Sequence, residues 1–537
     1  MFDKLIGACK RLKISQALAS ETSGDILQLV PDGTTAKDLE NFLSVADDTL
    51  DHVTILRAAY ATIVKISKDI RGQDSNDEDE FLNTLNEIAN RMSSMILPVC
   101  SSTSLEEITD YSIPQYQGSL GITALEKLTK LPAKAPLRLQ PSALLCLVAF
   151  TDTVDPWTTT ASSALARDLL ETQLENLGQS RTPSFITDEI LTRFLRPLFS
   201  KSRPAAVTAS GRKAEYVEPS RYDTVSQETP ETKPWKYTHR YAVAIFAWAV
   251  KNANTPLLQA HWPLFTPVLL TLLDEPQHTA LKIRALGIFR NFWARCPPGL
   301  MQDTGLASVF EDAVFPAVLY LPSLTPEDES LEILGAAYPA LIEMAGLSYP
   351  GPTGPELQGE NPQVQGAKRK LLDKIIREGI MVGYHHAKEH VKLVSLLCEM
   401  LACIVNGMGI LAVKHLKDFI PMVSEIMTDP FGTKHPPTLV VATKLLQAIL
   451  RTCWPRIPQY CNEIIKTLML CWLNIEDEES FSDESPVATD LRSGLIETAS
   501  MLTAVMKAAK VDFSERINPL VEKEPQLRKL FVEIDSA

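Results

Sequence analysis

The chain has no Cys-x-x-Cys pair, no strongly basic domain, no phosphate-binding glycine loop and few strand signals. Each absence removes a class of function. The nine cysteines, at 9, 100, 146, 296, 398, 403, 453, 461 and 471, mostly sit inside apolar helical runs. They read as reduced, buried thiols of a cytosolic or nuclear protein and not as a disulfide framework. Cys453, Cys461 and Cys471 are spaced by eight and ten, which suits core packing better than zinc ligation. A formal net charge of −14 and a pI near 5.3 argue against a broad nucleic-acid footprint, leaving room only for a local basic patch. The amino terminus lacks the apolar core of a signal peptide. The longest uncharged apolar runs, such as Ala242 to Val250, read as too short to span a bilayer. A soluble intracellular protein is expected, with no membrane and no nucleic acid among its partners. Neither G-x-x-x-x-G-K-S/T nor G-x-S-x-G occurs. Gly407-Met-Gly409 lacks both the preceding strand and the third glycine of a dinucleotide loop, and reads as a helix terminator.

What is present is helix. At 537 residues the chain exceeds one compact core, and 45% hydrophobic content suffices to bury helical faces. Between about Pro267 and Ala345 two helical hairpins follow one another. Leu281, Ala285, Ile288, Phe289 and Phe292 share one face, with Lys282, Arg284 and Arg290 mostly off it. Leu306, Val309, Phe310, Ala313, Val314, Ala317 and Leu321 continue the same period through Pro316, where a kink is expected. Thr325 suits an N-cap, Pro326 the first helical position, and Glu327, Asp328 and Glu329 the positive end of the helix dipole. The helix that follows is expected to bury Leu331, Leu334, Tyr338, Leu341 and Ala345.

Taken in order, residues 35–70 predict one long helix, with Leu39, Phe42, Leu43, Ala46, Leu50, Val53 and Leu56 in its stripe. Shorter helices are expected around 81–97, 119–130, 141–150, 158–178 and 184–199. From Lys201 to Lys233 the periodicity stops in a Ser/Thr/Pro/Glu/Arg-rich stretch, read as a disordered linker. The expected organisation is an amino-terminal helical region over 1–200, a linker over 201–234, and a carboxy-terminal repeat region over 235–537. Within the last, second helices of successive hairpins begin near 279, 326, 387, 438 and 486, in steps of 47, 61, 51 and 48. The long step holds a Pro/Gly-rich insertion at 349–366. Removing about 16 residues brings it to about 45, within the roughly 40–47 of HEAT and armadillo units. The expected fold class is all-α: an α-solenoid of HEAT/armadillo-like helical hairpins.

Particular stretches carry a family resemblance. Leu273-Asp-Glu-Pro276, Lys282-Ile-Arg-Ala-Leu-Gly287, Asp303-Thr-Gly-Leu-Ala-Ser-Val-Phe-Glu-Asp-Ala313, Tyr320-Leu-Pro-Ser-Leu-Thr-Pro-Glu-Asp-Glu-Ser330 and Ala337-Tyr-Pro-Ala-Leu341 together resemble the Tel-two-interacting protein two family, in a fungal-type form. The resemblance is sharp over about 75 residues, looser to about residue 475, and weak before the linker. It implies a helical-repeat scaffold in the Triple-T co-chaperone complex. Such a subunit, with two larger partners, helps the ninety-kilodalton heat-shock chaperone mature phosphatidylinositol-3-kinase-related kinases. The implied setting is cytoplasm and nucleus, with roles in TOR signalling, the DNA damage response and telomere maintenance. No cofactor and no catalytic residue are implied.

Other features point to alternative chemistry. His386-Ala-Lys-Glu-His390 matches H-x-x-E-H, in which two histidines one turn apart hold Zn²⁺ with Glu389 as base. A zinc metallopeptidase is therefore the rival from another class. Against it stand the missing third ligand and Lys388 inside the motif, and a polar turn opening a helix through Val391, Val394, Leu397 and Leu401 is the simpler reading. A different HEAT-repeat adaptor, for transport or as a phosphatase scaffold, is the rival of the same architecture. Ser75 and Ser480 lie in acidic loops with Glu78 and Asp483 three residues on, a pattern that suits phosphorylation by an acid-directed kinase as well as a solvated connector. The partner-binding surface is placed only coarsely, within 235–537. There the apolar Phe513, Leu520, Leu527, Leu530 and Phe531 leave a terminal repeat that needs a cap or a partner.

Overall fold

The computed structural model describes residues 2–11, 26–46, 50–69, 78–98, 110–132, 136–178, 181–202, 208, 213, 229–275, 278–297, 299–350, 362–478 and 486–531. The fold is all-α, and no strand occurs among the described residues. It divides into two compact units. The first holds Met1–Thr271 with Arg295–Pro298, and the second holds Leu272–Ala294 with Gly299–Ala537.

In the first unit the expected long helix is two, Ala36–Ala46 and His52–Asp69. The break has a local cause. Asp51 accepts the Thr54 amide at 2.9 Å and the Thr54 hydroxyl at 2.8 Å, so a new helix is capped where the apolar stripe alone would carry on. His52–Asp69 packs on Ser112–Thr129, which also packs on Glu78–Ile96 and Thr160–Leu177. Arg57 is buried among them, donating to the Cys9 carbonyl and the Tyr116 hydroxyl, each at 2.9 Å. A run from Arg181 to Phe199, with a π-helical centre over Phe185–Leu195, follows. Most of the stretch read as a linker, and most of the insertion at 349–366, lie outside the described residues. The linker's two flanks meet: Trp235 stacks on Phe199 at 5.0 Å between centroids, and its indole N–H donates to Ser202 Oγ at 2.9 Å.

The second unit repeats. Helices Thr279–Arg295, Glu327–Met344, Val391–Met408, Pro436–Thr452 and Pro486–Ala508 begin at steps of 48, 64, 45 and 50, close to the period read from the sequence. The last four stack in order on one another. Leu416–Thr428 and Ile457–Glu476 pack side by side as a second layer. Each hairpin thus buries its apolar stripe against the next, as a solenoid repeat does. Val391–Met408 ends at Gly409, whose φ of 55° suits the residue without a Cβ.

Several local expectations change. At Pro316 the helix does not kink and continue. The α-helix ends at Val314 and tightens into a 3₁₀ turn over Phe315–Leu319, because proline removes the donor for the i−4 bond. Helix Glu327–Met344 takes Pro326 as its N-cap, with no side-chain cap, so Thr325 is not the capping residue. The acidic first turn stands as read. Lys282 is buried rather than off the stripe, at 5% exposure, and Val391 is 44% exposed rather than buried. The terminal apolar residues are covered within the unit: Phe513, Leu527, Leu530 and Phe531 are buried, and Pro525–Arg528 packs on Ile457–Glu476. Two helices exceed the expected run length. By length and composition Thr255–Leu273 (mean hydropathy 1.2) and Val391–Thr428 (2.1) would cross a bilayer, yet 56% and 61% of these windows are buried inside the fold, as in core helices.

Candidate functional site

Three of the quoted family motifs meet at one buried point of the second unit. Lys282 Nζ donates to the Leu273 carbonyl at 2.5 Å and lies 5.9 Å from the Tyr320 ring centroid. Glu275 is buried beside them, at 2% exposure. Burial pulls the Lys282 pKa down, while Asp274 and Glu275 push it back up. Burial, then Glu275, raises that of Tyr320. Ordering a lysine inside a helical stack costs free energy unless a carbonyl and carboxylates receive it. The Leu273-Asp-Glu and Lys282-Ile-Arg motifs and Tyr320 form that receptor, so their role is to fasten one hairpin to the next. Sequence reasoning missed it because a helical-wheel count treats lysine as an outward residue.

The metal motif comes apart. His386 closes the helix Val382–Ala387 and is exposed, Glu389 lies in the following turn, and His390 precedes Val391–Met408. The two histidines therefore do not share one helical face. His390 Nδ1 instead pairs with Glu327 Oε2 at 3.0 Å, joining the starts of two stacked helices. Among the described residues no group of three or more His, Cys, Asp and Glu gathers to hold a metal ion. The described cysteines are free thiols, and all but Cys296 are buried. Burial raises the pKa values of Cys146, Cys398 and Cys471 to about 12, which keeps them protonated and unreactive. Ser75, Ser480 and Cys100 lie outside the described residues. Glu478, at the border of the Ser480 loop, bonds Lys434 Nζ at 3.1 Å and the Thr433 hydroxyl at 3.3 Å.

One face of the stacked second helices carries a polar ladder. Arg290 forms a bidentate pair with Glu343 at 3.0 and 2.5 Å, and its guanidinium lies 5.9 Å from the Tyr349 ring centroid. The Tyr349 hydroxyl donates to Glu399 at 3.5 Å. One repeat further, Gln447 Nε2 donates to Glu497 at 3.2 Å and to the Gly494 carbonyl at 3.1 Å. Between the rungs, helices Val391–Met408 and Pro436–Thr452 flank an open cavity of about 290 Å³, with Asn406, Lys444 and Arg451 on its walls. No candidate nucleophile–base pair is built into it.

A model of the Tti2 family matches residues 143–434, a little over half of the chain. The chain belongs to the Tti2 family. The Tti2 match begins well before the stretch read as a linker, so membership reaches into helices where the motif resemblance was weak. It includes the Lys282 receptor and most of the polar ladder. No curated protein matches the chain.

Proposed function

We propose that this protein is the non-catalytic scaffold subunit of the Triple-T co-chaperone complex. In this reading it works with two larger subunits and the ninety-kilodalton heat-shock chaperone to support folding, assembly and stability of phosphatidylinositol-3-kinase-related kinases, in cytoplasm and nucleus. The observation that carries the proposal is the Tti2 family match across 143–434. The second unit's form supports it, since stacked hairpins offer a long surface and the conspicuous polar groups are spent on joining repeats. The carboxy-terminal region 235–537 is proposed as the docking region, with an interface on the order of 2,000 Å² or more, as stable scaffolds bury.

The test has two arms. Affinity purification of the full chain from its source cell should recover two large helical proteins in fixed proportion. Depletion should lower the protein levels of these kinases and not only their activity, because an unassembled client is degraded. Unchanged kinase levels with no stoichiometric partner would overturn the proposal.

A further inference from the structure

The cavity on the ladder face has a charge that nothing among the described residues answers. Lys444 and Arg451 are both exposed, and among the described residues neither is paired in a hydrogen bond or an ion pair, although the neighbouring Arg290, Glu343, Tyr349, Glu399, Gln447 and Glu497 all are. The two cations sit seven residues apart on Pro436–Thr452. Two turns of helix bring them back to one face, about 10 Å apart along the axis. At 290 Å³ the cavity has room for side-chain ends and not for a backbone. Past it, at the same ends of the two lining helices, Trp454 and Ile410 are each 53% exposed. Tyr349 and Arg451 line the cavity and Trp454 follows three residues after Arg451; Trp, Tyr and Arg are the side chains that dominate protein interfaces.

We infer that this groove docks an acidic amphipathic helix of a partner protein, whose carboxylates, two turns apart, meet Lys444 and Arg451 and whose apolar side chain covers Trp454. Charge complementarity selects the occupant. The wall carries two unpaired cations about 10 Å apart and one carboxylate, Glu399, so two separately placed Asp or Glu side chains match it, whereas a single phosphate reaches only one of the cations. The matching spacing follows from geometry, since a helix laid along a helix repeats at the same rise. The inference does not depend on which complex the chain joins.

The probe is a fluorescein-labelled, alanine-based helical peptide of roughly sixteen residues, carrying two glutamates seven positions apart and a leucine beyond them. It is titrated against the full chain and followed by anisotropy. The wild type should bind it. Both K444E/R451E and a peptide with glutamine for glutamate should weaken binding about tenfold or more. A lysine-bearing peptide should regain binding to K444E/R451E, and Trp454→Ala should weaken binding while leaving its salt dependence intact. Both cations are exposed and unpaired, so K444E/R451E should keep the wild-type melting curve. If it does not, Lys444→Gln carries the same readouts. Equal binding of the glutamate and glutamine peptides, displacement by inorganic phosphate at the concentration at which acetate fails, or occupation of the groove by a second copy in sedimentation would each overturn the inference. Loss of the co-chaperone partners alone would not touch it.

Discussion

The two units solve helix packing differently. In the second, buried stripes recur by period: Phe289 and Phe292 meet Phe310 at 5.2 and 5.9 Å, and Leu334, Leu401 and Leu446 are buried in the later helices. In the first, the closest approach is made by removing side chains. A Cβ added at Gly121 would lie 2.2 Å from Ile96 Cγ1, and one at Gly118 would lie 2.3 Å from the Phe150 ring. Helix Ser112–Thr129 can therefore sit against its neighbours only with those glycines. The lesson is that the second unit draws its packing from an apolar stripe that recurs from helix to helix, whereas the crossing at Ser112–Thr129 depends on side-chain atoms being absent at two positions.

Substitutions can break or sharpen that contrast. The largest effect is expected at Phe310→Ala, which empties a fully buried aromatic cluster and should cost about 3–5 kcal/mol in denaturant unfolding. Its damage should stay within the second unit, as hydrogen exchange would show. A loss spread evenly over both units would mean that they do not unfold separately. Gly121→Ala should cost about 1–3 kcal/mol even though alanine favours helix by up to about 1 kcal/mol. Gly287→Ala, with nothing within 4 Å of the added Cβ, should be neutral or stabilising. A stabilising Gly121→Ala would show that the crossing is not closely packed.

A third effect depends on pH. His415 is fully buried, with Nε2 bonded to Asp373 Oδ1 at 2.9 Å and Nδ1 without a partner. Burial lowers its pKa below 6.5, with Lys414 and Arg377 adding to the shift and Asp373 opposing it. An unfolded chain binds a proton there near pH 6.5, and the folded chain binds it less readily. Stability is therefore full above that pH and falls as the solution is acidified through the folded value. His415→Asn should flatten this dependence in unfolding curves between neutral and mildly acidic pH; an unchanged slope would assign the effect to other groups. At Asp373 burial pushes the pKa up, but the bonds and charges of Lys414 and His415 together hold it below its ordinary 3.8, so it adds a further loss only below that pH.

Two small effects complete the series. Thr325→Ala should cost less than about 0.5 kcal/mol, since Pro326 occupies the cap position. A loss near the roughly 1 kcal/mol of a true cap would restore Thr325 to that role. Limited proteolysis should cut first between Lys201 and Lys233, where apolar periodicity stops. The nicked chain should remain one particle on gel filtration, because Phe199 and Ser202 hold Trp235 across the gap. Separation of the fragments would support a true domain division there.

Legibility in the sequence tracked distance along the chain. Amphipathic spacing is local, so the helices, the starts at 279 and 486, and the stop at Gly409 could be read directly. The acidic first turn at Glu327 was equally local. The burial of Lys282 was not, because its acceptors lie across a turn at Leu273 and Glu275 and its ring neighbour at Tyr320. His390 likewise left the pattern of its own motif for Glu327, 63 positions away. Lys444 and Arg451 drew no reading from the sequence; that they border a cavity depends on Tyr349 and Asn406 arriving from elsewhere in the chain. By itself, then, the sequence determined helix, period and family-bearing motifs, because backbone hydrogen bonding and apolar periodicity act over a few residues. Only the tertiary structure decided which polar groups were buried, paired or left facing a groove, because desolvation and charge pairing depend on what the rest of the chain places beside them.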